Sequence, residues 1–141
     1  MKAYELLQTK GTAVHSTSPD ANLQQVVQLL VNHNCGSLLV MNGEKVLGII
    51  TERDILRTCD GESRSLSDIK VRERMSSRLV TAAPQNSLTD LMGMFTSNRI
   101  RHLPIMEEGR LAGIVSIGDV VKAQYKSLSL ENEYLKSYIQ S

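Results

Sequence analysis

The chain has 141 residues, which at about 150 residues per domain allows one compact domain or two very small ones. Its 16 Lys and Arg against 15 Asp and Glu leave a formal net charge of +1, and its aromatics are one Phe, four Tyr and no Trp. That balance argues against a generic polyanion binder and against a stacking surface for single-stranded nucleic acid.

In chain order, residues 3–7 form a first apolar segment, expected to pack beside a C-terminal helix. An extended segment then runs to Pro19. Residues 22–34 place Leu23, Val26, Val27, Leu30 and Val31 at helical spacing, which predicts an amphipathic helix. Two short apolar runs, 37–41 and 46–50, flank Asn42-Gly43, a strong hairpin signal, and a helix opens at Glu52. Residues 59–78 are polar, and their Lys70, Arg72, Arg74 and Arg78 are interleaved with Asp68 and Glu73; a solvated linker is the reading preferred over a nucleic-acid patch. A second extended segment ends near Pro84. Residues 87–98 carry Leu88, Leu91, Met92 and Phe95 at helical spacing, with Ser87 and Asp90 spaced as a capping box. Apolar runs at 102–106 and 111–115 follow on either side of a turn at 107–110, and a further helix starts at Ile117. After Lys122, Leu128, Leu135, Tyr138 and Ile139 fit a weakly amphipathic final helix.

A shift of 65 positions superposes the two halves without a gap. It pairs Pro19 with Pro84, Leu23 with Leu88, Met41 with Met106, Gly48 with Gly113, Ile49 with Ile114 and Asp54 with Asp119. The chain is therefore a tandem duplication, each copy an extended segment, helix, strand, strand and helix that needs a neighbour to bury its apolar face. The expected division is a first repeat at 10–58, a linker at 59–78, a second repeat at 79–123 and a C-terminal helix at 124–141. The fold class is α/β (α+β).

The informative segments are Gly48-Ile49-Ile50-Thr51-Glu52-Arg53-Asp54 and Gly113-Ile114-Val115-Ser116-Ile117-Gly118-Asp119. Each ends a strand and opens a helix. A hydroxyl followed three residues later by a carboxylate caps a helix N-terminus for its own sake. The same arrangement also suits a nucleotide, because N–H groups at a helix start bind phosphate and a nearby carboxylate accepts both hydroxyls of a ribose. Both readings stand at this point.

The duplicated pattern, Gly-Ile-Ile-Thr-Glu-Arg-Asp-Ile-Leu in one copy and Arg-His-Leu-Pro-Ile followed by Gly-Ile-Val-Ser-Ile-Gly-Asp-Val in the other, resembles a pair of cystathionine-β-synthase (CBS) domains over roughly residues 10–123. The resemblance implies a Bateman module: two βαββα units with pseudo-twofold symmetry and facing sheets, a cleft offering two sites for AMP, ADP or ATP, in some members for NAD or S-adenosylmethionine, and assembly as a homodimer. Carried onto this chain, it puts Asp54 and Asp119 on ribose hydroxyls, Thr51 and Ser116 near ribose or phosphate, and Ile49 and Ile114 beside adenine. Cys35, Gly36 and Ser37, with Ile100, Arg101 and His102 in the second copy, match the strand-entry segments that approach base or phosphate. Lys10, Arg53, Arg101 and His102 are the candidates for phosphate charge, and Thr12, Ser16 and Thr81 add hydroxyls. The chain departs from the family pattern at Leu39, where the second copy has Pro104, and at Ile117-Gly118, which replace the Glu-Arg pair of the first copy.

The three histidines, His15, His33 and His102, match no metal-ligand spacing, and no triad, acid–base pair or glycine-rich phosphate loop is visible. The expectation is a regulatory adenine-nucleotide sensor, not an enzyme, with no metal and no catalytic cofactor, passing its signal to an unknown regulated protein or through dimer geometry. The competing reading is a dimerisation scaffold whose Ser/Thr-x-x-Asp elements are only caps; a small nucleotide-processing enzyme is the weaker third. The longest apolar runs fall far short of the ~20 residues of a membrane helix, and the first residues lack the apolar core of a signal peptide. A cytoplasmic location is expected, with no membrane partner and with Cys35 and Cys59 as reduced thiols.

Overall fold

The structure, a computed structural model, describes residues 1–140. Its helices are α1 (Ala3–Lys10), α2 (Leu23–His33), α3 (Glu52–Cys59), α4 (Leu88–Asn98) and α5 (Ile117–Gln140), and its strands are β1 (Ser16–Thr17), β2 (Ser37–Asn42), β3 (Lys45–Thr51), β4 (His102–Glu107) and β5 (Arg110–Ser116). The chain forms two compact units. One comprises residues 13–79 with 109–111, the other residues 1–12, 80–108 and 112–140.

In the first unit β1, β2 and β3 form a three-stranded sheet, β1 parallel and β3 antiparallel to β2. Leu23, Val26 and Leu30 of α2 pack with Leu38, Val40 and Ile50 of the sheet, and all six are buried. Asn22 caps α2, its side chain accepting from the Gln25 N–H while the Gln25 side chain accepts from the Asn22 N–H. The hairpin turn falls on Gly43 and Glu44, one residue later than Asn42-Gly43 suggests. Asn42 still pairs with Lys45, and Gly43 takes the positive φ of 61° that the first loop position demands.

The polar stretch at 59–78 is more than a solvated connection. It carries two 3-10 turns, Leu66–Asp68 and Val71–Glu73, and Ile69 and Val71 are fully buried in the core of the first unit. The Leu23 N–H donates to the Ile69 carbonyl and the Val71 N–H to the Ala21 carbonyl, which ties the segment to the start of α2. Farther on, Ile49 and Ser76 exchange two backbone hydrogen bonds beside Gly48. The charged side chains of this stretch do stay at the surface: Arg72 pairs with Asp20, while Arg64 and Arg74 both grip Glu62.

Strands β4 and β5 form a two-stranded hairpin sheet that belongs to the second unit apart from residues 110 and 111. Its loop residues, Glu108 and Gly109, both have positive φ, the pattern of a type I′ turn. Leu88, Leu91 and Phe95 of α4 pack with Leu103, Ile105, Val115 and Val120. Ala3, Leu6 and Leu7 of α1 are buried in this same core, so the first helix of the chain completes the second unit. The helix from Ile117 runs without interruption to Gln140, with no break near residue 124.

One sequence difference explains why the two sheets differ. In the first repeat the Leu39 N–H donates to the His15 carbonyl and helps pair β1 with β2. Its counterpart Pro104 has no N–H. The equivalent extended segment of the second repeat therefore makes only a bridge at Ala82, which donates to the Pro104 carbonyl and accepts from the Met106 N–H.

Candidate functional site

The strand-to-helix junctions have the same construction in both repeats. At the end of β3, Thr51 caps α3: its N–H donates to Asp54 Oδ2 at 2.8 Å, its Oγ1 lies 3.1 Å from the same oxygen, and the Asp54 N–H points back at Oγ1. At the end of β5, the Ser116 N–H donates to Asp119 Oδ2 at 2.8 Å and the Asp119 N–H donates to Ser116 Oγ at 3.1 Å. Each junction is also tied to the strand-entry segment of its repeat. The Glu52 N–H donates to the Gly36 carbonyl at 3.0 Å, and the Ile117 N–H to the Arg101 carbonyl at 2.9 Å. These bonds bring Gly36 and Ser37 next to Thr51 in one unit, and Arg101 and His102 next to Ser116 in the other. Ser37 is buried and pairs with Thr51 across the ladder.

The same bonds use N–H groups that an anion would need. The first and third N–H groups of α3, on Glu52 and Asp54, and of α5, on Ile117 and Asp119, already have acceptors. A phosphate at these junctions therefore relies on side-chain cations more than on the helix start.

Other candidates are distributed unevenly. Ile49 and Ile114 are half-buried on β3 and β5, Ile100 is half-buried before β4, and Cys35 is half-buried with its thiol 3.6 Å from the Ser37 carbonyl oxygen. Arg53, Arg101, Thr12, Ser16 and Thr81 are exposed, Ser16 within β1. Lys10, a candidate for phosphate charge, lies against the second junction. Its Nζ lies 2.6 Å from Asp119 Oδ2 and 2.8 Å from the Ile114 carbonyl oxygen, so α1 places its cation on the Asp119 carboxylate. Burial acts to raise the pKa of Asp119, but the hydrogen bonds from Lys10 and from the Ser116 backbone outweigh it and hold the carboxyl below the ordinary aspartate value. Among the described residues no ion pair reaches Asp54, so equivalent carboxylates differ in charge environment.

Spacing alone did not reveal that His15 and His33 meet. Their rings stack in the first unit with centroids 3.8 Å apart, because the β1 approach passes the end of α2. Among the described residues no group of three or more His, Cys, Asp or Glu could hold a metal ion, and no helix is long and apolar enough to cross a membrane.

Comparison with known proteins agrees with this construction. The family model for the CBS domain matches residues 10–61 and 66–126. A mitochondrial CBS domain-containing protein of Arabidopsis thaliana, CBSX3, is 34% identical over 96% of this chain and 70% of its own length. The CBS domain-containing protein YhcV of Bacillus subtilis is 33% identical over 86% of each chain. The crystal structure of the CBS-domain containing protein ATU1752 from Agrobacterium tumefaciens superposes with a TM-score of 0.85 at 36% identity, covering 88% of this chain and 99% of that one. With the duplicated junctions and these relatives together, the chain belongs to the CBS-domain family and carries two copies of the domain in tandem.

Proposed function

We propose that this CBS pair is a cytoplasmic regulatory module that binds an adenine nucleotide, AMP, ADP or ATP, at the strand-to-helix junctions of its repeats. NAD and S-adenosylmethionine, which share the adenosine, are the alternative ligands. Occupancy is passed on through the geometry of a homodimer or to a regulated protein, and the chain binds its ligand without transforming it. The observation that carries this reading is the repeated Thr51/Asp54 and Ser116/Asp119 pair, each holding a carboxylate beside a half-buried isoleucine and a strand-entry segment. A carboxylate can accept both hydroxyls of a ribose, and the isoleucine offers an apolar face to a base.

The first repeat is the readier site. Among the described residues the Asp54 carboxylate is shared only with its own cap, and Arg53 stands exposed beside it for phosphate. At the second repeat a ribose must compete with Lys10 for Asp119.

The test is thermal unfolding of the full chain with AMP, ADP, ATP, NAD and S-adenosylmethionine in turn, followed by calorimetric titration of whichever ligand shifts the transition. A ligand at about 100 times its Kd adds roughly 2.7 kcal/mol, a rise of several degrees for a chain this size. Asp54→Ala together with Asp119→Ala is expected to remove the shift while costing about 1 kcal/mol of stability per cap. A folded double variant that still binds with unchanged affinity would sink the ribose assignment. No shift with any of the five would leave both aspartates as helix caps in a dimerisation scaffold.

A further inference from the structure

The 24 residues of α5 span about 36 Å, and most of the exposed large apolar side chains of the molecule are on this helix. They fall on two lines. Leu130, Tyr134 and Tyr138 continue the line of Val120 and Ala123, through which α5 packs within its own unit. Val121, Tyr125, Leu128, Leu135 and Ile139 lie on a different line, and each is at least half exposed, from 51% at Val121 and Leu135 to 81% at Ile139.

The second line has a specific period. With Asn132 included, its members follow one another at alternating spacings of four and three, and all lie within roughly 40° of one stripe at 3.6 residues per turn. That is the seam of a coiled coil, with Val121, Leu128 and Leu135 at d and Tyr125, Asn132 and Ile139 at a. Leucine at d with β-branched Ile139 at a favours two strands, and a single asparagine at a fixes register by pairing with its own copy. The flanking charges agree. Glu131 falls at g and Lys136 at e, five residues on, so a parallel in-register pair sets Glu131 against the partner's Lys136 on both sides of the seam. An antiparallel pair sets g against g and e against e, and loses that attraction.

We propose that a second copy of this chain docks along this face of α5 to form a parallel, two-stranded coiled coil with Asn132 at its centre. The inference rests on the homodimer part of the reading above and not on its nucleotide part. A twofold axis along the seam satisfies both copies with the same surface. It also covers an apolar stripe that would otherwise face water.

The experiment combines sedimentation with disulfide trapping, in the full chain carrying Cys35→Ser and Cys59→Ser. Leu135→Cys places a thiol at a d position, where facing Cα atoms of a parallel pair come within disulfide reach; Leu130→Cys, on the other line, is the control. Both positions are exposed, so neither substitution disturbs the core. The expected result is a dimer by sedimentation, with Leu135→Cys oxidising almost wholly to a covalent dimer and Leu130→Cys at least tenfold less. A dimer that does not trap at 135, or traps better at 130, overturns the coiled coil and leaves the homodimer standing. A monomer at concentrations of tens of micromolar overturns both.

Discussion

Asp54 and Asp119 are the same residue of the repeat in different electrostatic settings, and Lys10 makes the difference. The folded pKa of Asp119 lies below its unfolded value, so its interactions stabilise the fold above about pH 4, and that contribution is lost as pH falls through the folded pKa. Lys10→Met is therefore expected to flatten the loss of stability as pH falls below about 4, measured by urea unfolding at descending pH. Equal acid sensitivity in the two proteins would show that the ion pair contributes nothing. Glu62 gives a second check. The hydrogen bond from the Arg64 side chain, reinforced by the Arg64 backbone and by Arg74, lowers its pKa from 4.5 to about 2. Its carboxyl carbon should titrate near that value by NMR, and higher once Arg64→Ala and Arg74→Ala remove the guanidinium groups, with the backbone N–H at position 64 still holding it below 4.5. Arg99 presents a different kind of strain. It ends α4 in the left-handed region with φ 54°, as Asn34 ends α2 with φ 49°. Asparagine tolerates that region better than arginine, so Arg99→Gly is expected to gain about 1 kcal/mol in denaturant unfolding.

At the scale of elements, the helices and hairpins were legible because their apolar positions carry a clear period and their caps lie at fixed offsets. Ser87/Asp90 forms the capping box that its spacing suggested. The segment at 59–78 was not legible in the same way: Ile69 and Val71 are two apolar residues among charges, too few to make a period, and only tertiary contact shows their burial. The histidine stack was hidden for a similar reason, since its partners come from an extended approach and a helix end. The role of Lys10 at Asp119 depends on a helix packing far along the chain, which no local pattern records. The sequence pairs Gly48 with Gly113, yet the structure separates their tolerance to substitution. A Cβ at Gly48 would lie inside van der Waals contact of the Ser76 carbonyl oxygen, which accepts from the Ile49 N–H in a backbone segment that the Ser76 N–H also ties to the Ile49 carbonyl. At Gly113 it would meet Leu7 Cδ2 at 2.7 Å, the movable end of a side chain. Gly48→Ala is expected to cost about 2–3 kcal/mol and Gly113→Ala less than half of that, by paired denaturant titrations. Equal losses would mean that the Ser76 backbone yields as easily as a leucine rotamer.

At the scale of the molecule, the two repeats do not correspond to two consecutive pieces of chain. Ala3, Leu6 and Leu7 belong to the core of the unit built from the second repeat. Removing residues 1–12 should accordingly speed hydrogen exchange in α4, β4 and β5 by at least tenfold, while β2 and β3 change much less. Uniform acceleration in both units would contradict that division of the core. The placement of α1 also has a consequence for biosynthesis. Lys10 and its acceptor on Ile114 are separated by 104 positions, so at about 5–20 residues per second the ribosome releases α1 roughly 5–20 s before its docking surface exists. α1 is made long before the core that it completes, and throughout that interval Leu6 and Leu7 remain open to any chaperone that recognises nascent apolar segments.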